Sequence, residues 1–248
     1  MTQTHRIDGP ITQTGVGVVV PYDMALDREL WRWAPAEVSL FFTRTPYAPF
    51  PVTVEMAEHV ADGEAVRAGV RDLHAASPGV YAYACTSGSF VNGVAGEQRL
   101  TDTMRDAGAP HAVTASGSLL AALSALDVST VAVATPYDPQ VTARLTSFLD
   151  EAAVTVAGSS HLGLHENIWK VPYATTFDLV LDADHDDAGA VVVSCTNLPT
   201  YDVIAPLERR LKKPVITANQ ATMWAALGAI GRPMVGPDQR LAAARAHD

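Results

Sequence analysis

The chain has 248 residues, 48% of them hydrophobic and 18% charged, with a formal net charge of -10. That length suits one large α/β domain or two small lobes, the acidic balance excludes a nucleic-acid partner that needs a basic face, and apolar runs no longer than a strand exclude a membrane span. Two cysteines are too few for a secreted disulfide framework, and the opening MTQTHRIDGP has no apolar signal core, so a cytoplasmic protein with free thiols is expected.

In chain order, short Val- and Ile-rich runs alternate with stretches of helical spacing, the pattern of a parallel sheet. The strand candidates are GVGVVV from Gly15, VSLFFT from Val38, GVYAYA from Gly79, HAVT from His111, TVAVA from Thr130, VTVAG from Val154, AVVVS from Ala190 and PVIT from Pro214. Between them LLAALSAL, QVTARLTSFLDEA, DVIAPLERRL and ATMWAALGAI read as helices. The helix after Cys195 has Asn197 as its expected cap, Pro199 in its first turn, Asp202 near its positive end and Lys212 and Lys213 near its negative end. That places its beginning beside the cysteine.

The second half repeats the order of the first. VPYD at Val20 meets TPYD at Thr135, ACTSGSF at Ala84 meets SCTNLPT at Ser194, and APHAVTASGSLLAAL at Ala109 meets KKPVITANQATMWAAL at Lys212. The expected fold is therefore α/β, with two lobes related by an approximate twofold axis and a four-stranded parallel sheet in each. Residues 1–114 with 217–248 form the expected first lobe and 115–216 the second, the C-terminal helix returning to the first. Ligands of open α/β sheets bind at strand carboxyl ends, so both cysteines are expected to look into one cleft between the lobes.

Each cysteine ends an apolar run and precedes a threonine, at a strand end where a helix opens with unpaired N–H groups. A helix N-terminus lowers a thiol from its usual ~8.5, so a reactive thiolate is expected at each position. Thr86, Ser87 and Thr196 offer hydroxyl and backbone donors for a carboxylate or enolate-like oxygen. Arg44, after the second strand, has the guanidinium fork that holds a carboxylate. Asp23 would repel a dicarboxylate. His161, His165 and Glu166 lack a further ligand motif, so no metal is expected, and no cofactor motif is present. The DADHDD run reads as a solvated helix-to-strand connection, and Trp31, Trp33 and Trp224 as core or interface.

The segments ACTSGSF, ATPYDPQV, VVSCTNLPTYDVIAPLERRL and KPVITANQATMWAA resemble the maleate cis-trans isomerase and arylmalonate decarboxylase branch of the aspartate/glutamate racemase superfamily. The resemblance runs from Gly15 to about Gly231. It implies two flavodoxin-like lobes, no cofactor, and a small carboxylic acid held between two cysteines. It implies Cys85 as the nucleophile that adds to a double bond and Cys195 as acid and base. Tyr137 matches a carboxylate-binding tyrosine, and Thr86, Ser87, Thr196 and Asn197 match the loops around the two thiols. The decarboxylases carry glycine at the first cysteine, so Cys85 points to an isomerase. Maleate isomerases carry asparagine in the first strand-end loop, where this chain has Tyr22 and Asp23, and this loop with RELWRW is closer to the ectoine-utilisation members. Racemase, decarboxylase and a non-catalytic ligand sensor remain alternatives, and a homo-oligomer is expected.

Overall fold

The structure, a computed structural model, describes residues 12–244; residues 1–11 and 245–248, the two ends of the expected first lobe, lie outside the described residues. Strands β1 (Thr14–Val20), β2 (Val38–Arg44), β3 (Val80–Tyr83) and β4 (Ala112–Thr114) form one parallel sheet in the order β2-β1-β3-β4. Strands β5 (Thr130–Thr135), β6 (Thr155–His161), β7 (Ala190–Val193) and β8 (Val215–Thr217) form a second in the order β6-β5-β7-β8. The same order in both sheets is what the repeated sequence predicts. The two-lobed α/β architecture holds.

The central strands are continuously apolar because helices cover both faces. Along β1, Val16, Val18 and Val20 face a core that runs through both lobes, while Val19 faces a smaller cluster on the other side of the first sheet. The edge strand β6 obeys another rule. Its sequence apolarity stops at Gly158, yet pairing with β5 continues through Ser159 and Ser160 to His161, since an edge strand exposes one side and tolerates polar residues. His161 therefore ends a strand and does not share a helix face with His165.

The helices of the first half are α1 (Asp27–Trp31), α2 (Val54–Val60), α3 (Gly63–Asp72), α4 (Thr86–Phe90), α5 (Gly93–Asp106) and α6 (Ala115–Ala125); those of the second are α7 (Pro139–Glu151), α8 (Tyr173–Ala183), α9 (Tyr201–Leu211), α10 (Ala218–Ala229) and α11 (Arg240–Ala243). Five of these eleven helices have a side-chain cap from their own N-cap residue. Asp138 accepts from Val141 N at 2.8 Å with Pro139 in the first turn of α7, and Thr217 forms a capping box with Gln220 at the start of α10. Helix α10 packs on α6 and reaches β3 and β4 of the first sheet. Among the described residues no helix is long and apolar enough to cross a membrane.

Helix α9 departs from expectation. It starts at Tyr201, five residues after Thr196, and its N-cap residue Thr200 makes no side-chain cap. Asn197 is not the cap because its side chain is spent across the lobes, donating to Asp23 O and accepting from Ala25 N, both at 2.9 Å. The capping group instead comes from the other lobe. Glu29, buried on α1, accepts from Thr200 N at 3.0 Å, Thr200 Oγ1 at 2.7 Å and Asn219 Nδ2 at 3.2 Å. A carboxylate on exposed helix N–H groups is stabilised by the helix dipole. Lys213 pairs with Asp184 at 2.8 Å and with the His185 carbonyl rather than with the end of α9.

Candidate active site

The carboxyl ends of β1, β3, β5 and β7 deliver one residue each toward a single cavity between the lobes. Asp23 comes after β1, Cys85 after β3, Tyr137 after β5 and Cys195 after β7. The cavity measures about 20 Å³ and is also lined by Pro21, Thr86, Ser87, Thr196 and Asn197. That is room for about one water molecule, so the site is closed. Val52, Met56 and Ile168 form an apolar wall.

Two clasps close it. On one side Val52 N donates to His165 O at 2.7 Å, with His165 Nδ1 3.3 Å from Val52 O. On the other, Asn197 ties its loop to Asp23 and Ala25. Each clasp joins a loop of the first lobe to a loop of the second.

The two thiols differ in backbone and partners. Cys85 has extended backbone at φ -136° and is the N-cap residue of α4, with Ser87 Oγ 3.9 Å from its sulfur and the Gly88 N–H directed at it. Cys195 has φ +98°, a left-handed conformation that costs a non-glycine residue on the order of 1–3 kcal/mol. It leads into a turn rather than a helix, and that turn aims Asn197 N at the sulfur at 3.3 Å. Tyr137, fully buried, places its hydroxyl against Cys195 and Ser194.

The expected thiolates are absent at rest. Burial pushes Cys85 up to about 11 and Cys195 up to about 12, outweighing the N–H groups directed at each sulfur. The charge of Asp23 adds to both shifts. A five-residue helix and one N–H are too little against nearly complete desolvation. Burial also raises the Asp23 carboxyl, although its own backbone N–H and the Asn197 side chain oppose this. Both cysteines are free thiols.

The repeat assigns its residues unequally. Asp138 caps α7, whereas its counterpart Asp23 caps no helix and is left to the cavity. Tyr137 lines the cavity, while Tyr22 donates outward to Phe50 O at 3.2 Å. Thr86 Oγ1 is buried without a hydrogen-bond partner, and such a group is costly unless something completes it. Thr86 lines the cavity, so a ligand oxygen there would satisfy it.

Arg44 is not brought to the site. It is half-exposed at the end of β2, 2.7 Å from Asp27 and 3.2 Å from Met24 O. No arginine or lysine is among the cavity residues. Among the described residues no group of three His, Cys, Asp or Glu side chains could hold a metal. Sequence reasoning missed the apolar wall, the Glu29 bridge and Tyr83, which stands behind Cys85 with its hydroxyl donating to Val60 O. Of these only Tyr83 carries a sequence signal, lying two positions before the cysteine at the end of the same strand.

Comparison with known proteins agrees with this fold. The arylmalonate decarboxylase family profile matches residues 52–241. Arylmalonate decarboxylase of Bordetella bronchiseptica is 38% identical over 160 residues, 61% of this chain and 67% of that protein. The crystal structure of a double mutant of arylmalonate decarboxylase in the liganded form superposes with a TM-score of 0.85 at 30% identity, covering 92% of this chain and 98% of that one. A Nocardia farcinica maleate cis-trans isomerase mutant with a covalently bound succinylcysteine intermediate shares the fold, with a TM-score of 0.83 at 22% identity over 92% of this chain and 98% of that one. The chain is an enzyme of the arylmalonate decarboxylase family, in the branch of the aspartate/glutamate racemase superfamily that also holds the maleate isomerases.

Proposed function

We propose that this enzyme is a cofactor-independent isomerase of a small carboxylic acid that works through its two cysteines. The observation that carries the reading is the shared cavity, lined by one thiol from each lobe together with Tyr137 and Asp23. Two thiols around one small space suit a substrate carbon approached from two sides.

In this reading Cys85 gives its proton to the Asp23 carboxylate, and a sulfur lone pair forms a bond to one alkene carbon. The π pair moves to the neighbouring carbon and its carboxylate, leaving a single bond about which the substrate turns. Return of that pair re-forms the double bond, breaks the carbon–sulfur bond and releases the thiolate, which recovers its proton. Cys195 acts as general acid and base at the carbanionic carbon, lending a proton and removing it again. Tyr137 and Thr86 hydroxyls, with backbone N–H groups of Ser87 and Thr196, receive the carboxylate.

The absence of a cation from the cavity lining and the presence of Asp23 bear on the substrate. A second carboxylate would face Asp23, so the best fit has one carboxylate and turns a neutral or hydrogen-bond-donating group toward that residue. The apolar wall of Val52, Met56 and Ile168 takes a hydrophobic substituent.

A decarboxylase reading is favoured by the 38% identity to the Bordetella enzyme. In it, carbon dioxide leaves the substrate and Cys195 protonates the resulting carbanion, with Cys85 a bystander. One experiment tests both readings. The enzyme is incubated with a panel of enoic acids and substituted malonic acids, and products and intact-protein masses are followed for the wild type, Cys85→Ala and Cys85→Gly. Isomerisation with an adduct mapped to Cys85 is expected. An adduct on Cys195 alone reverses the two roles, full isomerase turnover by Cys85→Ala removes the nucleophilic step, and decarboxylation retained by Cys85→Gly establishes the second reading.

A further inference from the structure

Tyr83 ends β3 two residues before Cys85, and both belong to the apolar cluster on one side of the first sheet. Its side chain is 0% exposed, and its hydroxyl has two neighbours. One is the Val60 carbonyl at the end of α2, to which it donates. The other is the Cys85 thiol: its sulfur and the hydroxyl border the same space beside Gly88 and act on each other electrostatically. Gly88 makes the second contact available: a Cβ built there would overlap the Tyr83 hydroxyl and lie 3.2 Å from Cys85 Sγ. Tyr83 is not among the residues that line the cavity. It reaches the sulfur from behind, where a bound substrate does not displace it.

A phenol carries one proton and can aim it at one acceptor at a time. While Cys85 is a thiol, the Val60 carbonyl is the better acceptor, and the tyrosine oxygen is left to receive the S–H. Once Cys85 is a thiolate, the charged sulfur is the better acceptor, because hydrogen bonds to ionised groups are roughly twice as strong as neutral ones. Rotation of the hydroxyl then redirects the proton without moving a heavy atom.

We propose that Tyr83 is a switchable donor to Cys85, its hydroxyl turning from the Val60 carbonyl to the sulfur when the thiol ionises and back when the thiol is restored. The Cys85 proton leaves for a base, and Tyr83 keeps its own. Burial holds the Tyr83 hydroxyl well above its ordinary range, so it donates without ionising. The switch supplies a buried thiolate with a donor that costs the resting state no unpaired hydroxyl. Tyr137 beside Cys195 differs in facing the cavity, where substrate competes for it.

This inference rests on Cys85 being the reacting thiol, but its test uses no substrate, so it fails separately from the isomerase reading. Tyr83→Phe keeps the ring and removes the hydroxyl. Wild type and variant are alkylated with iodoacetamide at fixed mildly alkaline pH, and labelling of Cys85 relative to Cys195 is read by peptide mass spectrometry, the second cysteine serving as an internal control. The Cys85 to Cys195 ratio is expected to fall about tenfold in the variant, the loss of about one unit of thiolate stabilisation. An unchanged ratio in a folded variant leaves Tyr83 as an anchor for α2 only and overturns the proposal. Should the variant not fold, the unmodified chain decides. As Cys85 ionises, followed by thiolate ultraviolet absorbance, a tyrosine difference spectrum is expected that Tyr137→Phe retains and Cys85→Ser abolishes, and its absence overturns the proposal.

Discussion

Raising the pH of the substrate-free enzyme tests the resting state of the site most directly. With Cys85 held near about 11 and Cys195 near about 12, the thiolate fractions at about pH 7.5 are ~3 × 10⁻⁴ and ~3 × 10⁻⁵, against ~0.1 for a free cysteine of ~8.5. Thiolate reactivity should therefore lie roughly 300-fold below that of a free thiol at Cys85 and roughly 3,000-fold below at Cys195, rising about tenfold per pH unit. The assay is the pH dependence of thiolate absorbance, with alkylation of single-cysteine variants to assign each step. Absorbance is indifferent to reagent access, so it separates ionisation from a closed cavity. The folding side has a definite sign. Each thiol is harder to ionise folded than unfolded, so its contribution is fully present below ~8.5 and is lost as pH rises toward about 11 and about 12. Stability to urea should decline over that alkaline window and be flat through neutrality for these groups. A thiolate step near pH 7 in the free enzyme would refute the reasoning, since charge–dipole effects would then have beaten desolvation.

Asp23→Asn removes the charge that helps raise both cysteines, so both thiol titrations should move down, and a second carboxylate on the substrate should be better tolerated; titrations left in place would show that Asp23 does not act on the sulfurs. Tyr137→Phe should lower kcat/KM by about 10- to 150-fold, the equivalent of roughly 1.5–3 kcal/mol for a hydrogen bond to a charged group, with folding little changed; wild-type kinetics on the true substrate would remove it from carboxylate binding. Glu29→Ala leaves Thr200 N, Thr200 Oγ1 and Asn219 Nδ2 without their acceptor. A loss of about 2–3 kcal/mol, seen as a fall in Tm of roughly 4–12 °C by calorimetry, is expected for a chain of this size, and an unchanged Tm would mean that water replaces the carboxylate.

The features legible in the sequence were those that repeat or alternate along it. The paired PYD and Cys-Thr segments placed Asp23, Cys85, Tyr137 and Cys195 at four strand ends, and these four do line one cavity. The features it concealed depend on the other lobe. Asn197 reads as a helix cap because caps are local, yet its amide meets Asp23 and Ala25 more than 170 positions earlier. Glu29 reads as one more charge on a short helix, although its three donors come from Thr200 and Asn219. The thiols were misjudged for the same reason. A chain shows the helix that comes after a cysteine but not the facing loops that remove its water. Arg44 was misplaced because Asp27, in the same half, competes for its guanidinium. The left-handed backbone at Cys195 has no compositional mark, glycine being the residue that usually announces it.

The two clasps across a cavity of about 20 Å³ also bear on kinetics. A molecule of even four carbons does not fit a cavity of that size while Val52 holds His165 and Asn197 holds Asp23, so capture waits on the lobes parting. The open form acts as a toll on affinity, because apparent dissociation constants scale inversely with the fraction of molecules that are open. Association is then paced by a breathing motion rather than by diffusion. Loosening either clasp should speed binding and release together, while the reaction between them loses its exclusion of water. Turnover and shielding are thus set against each other by the same few hydrogen bonds between the lobes.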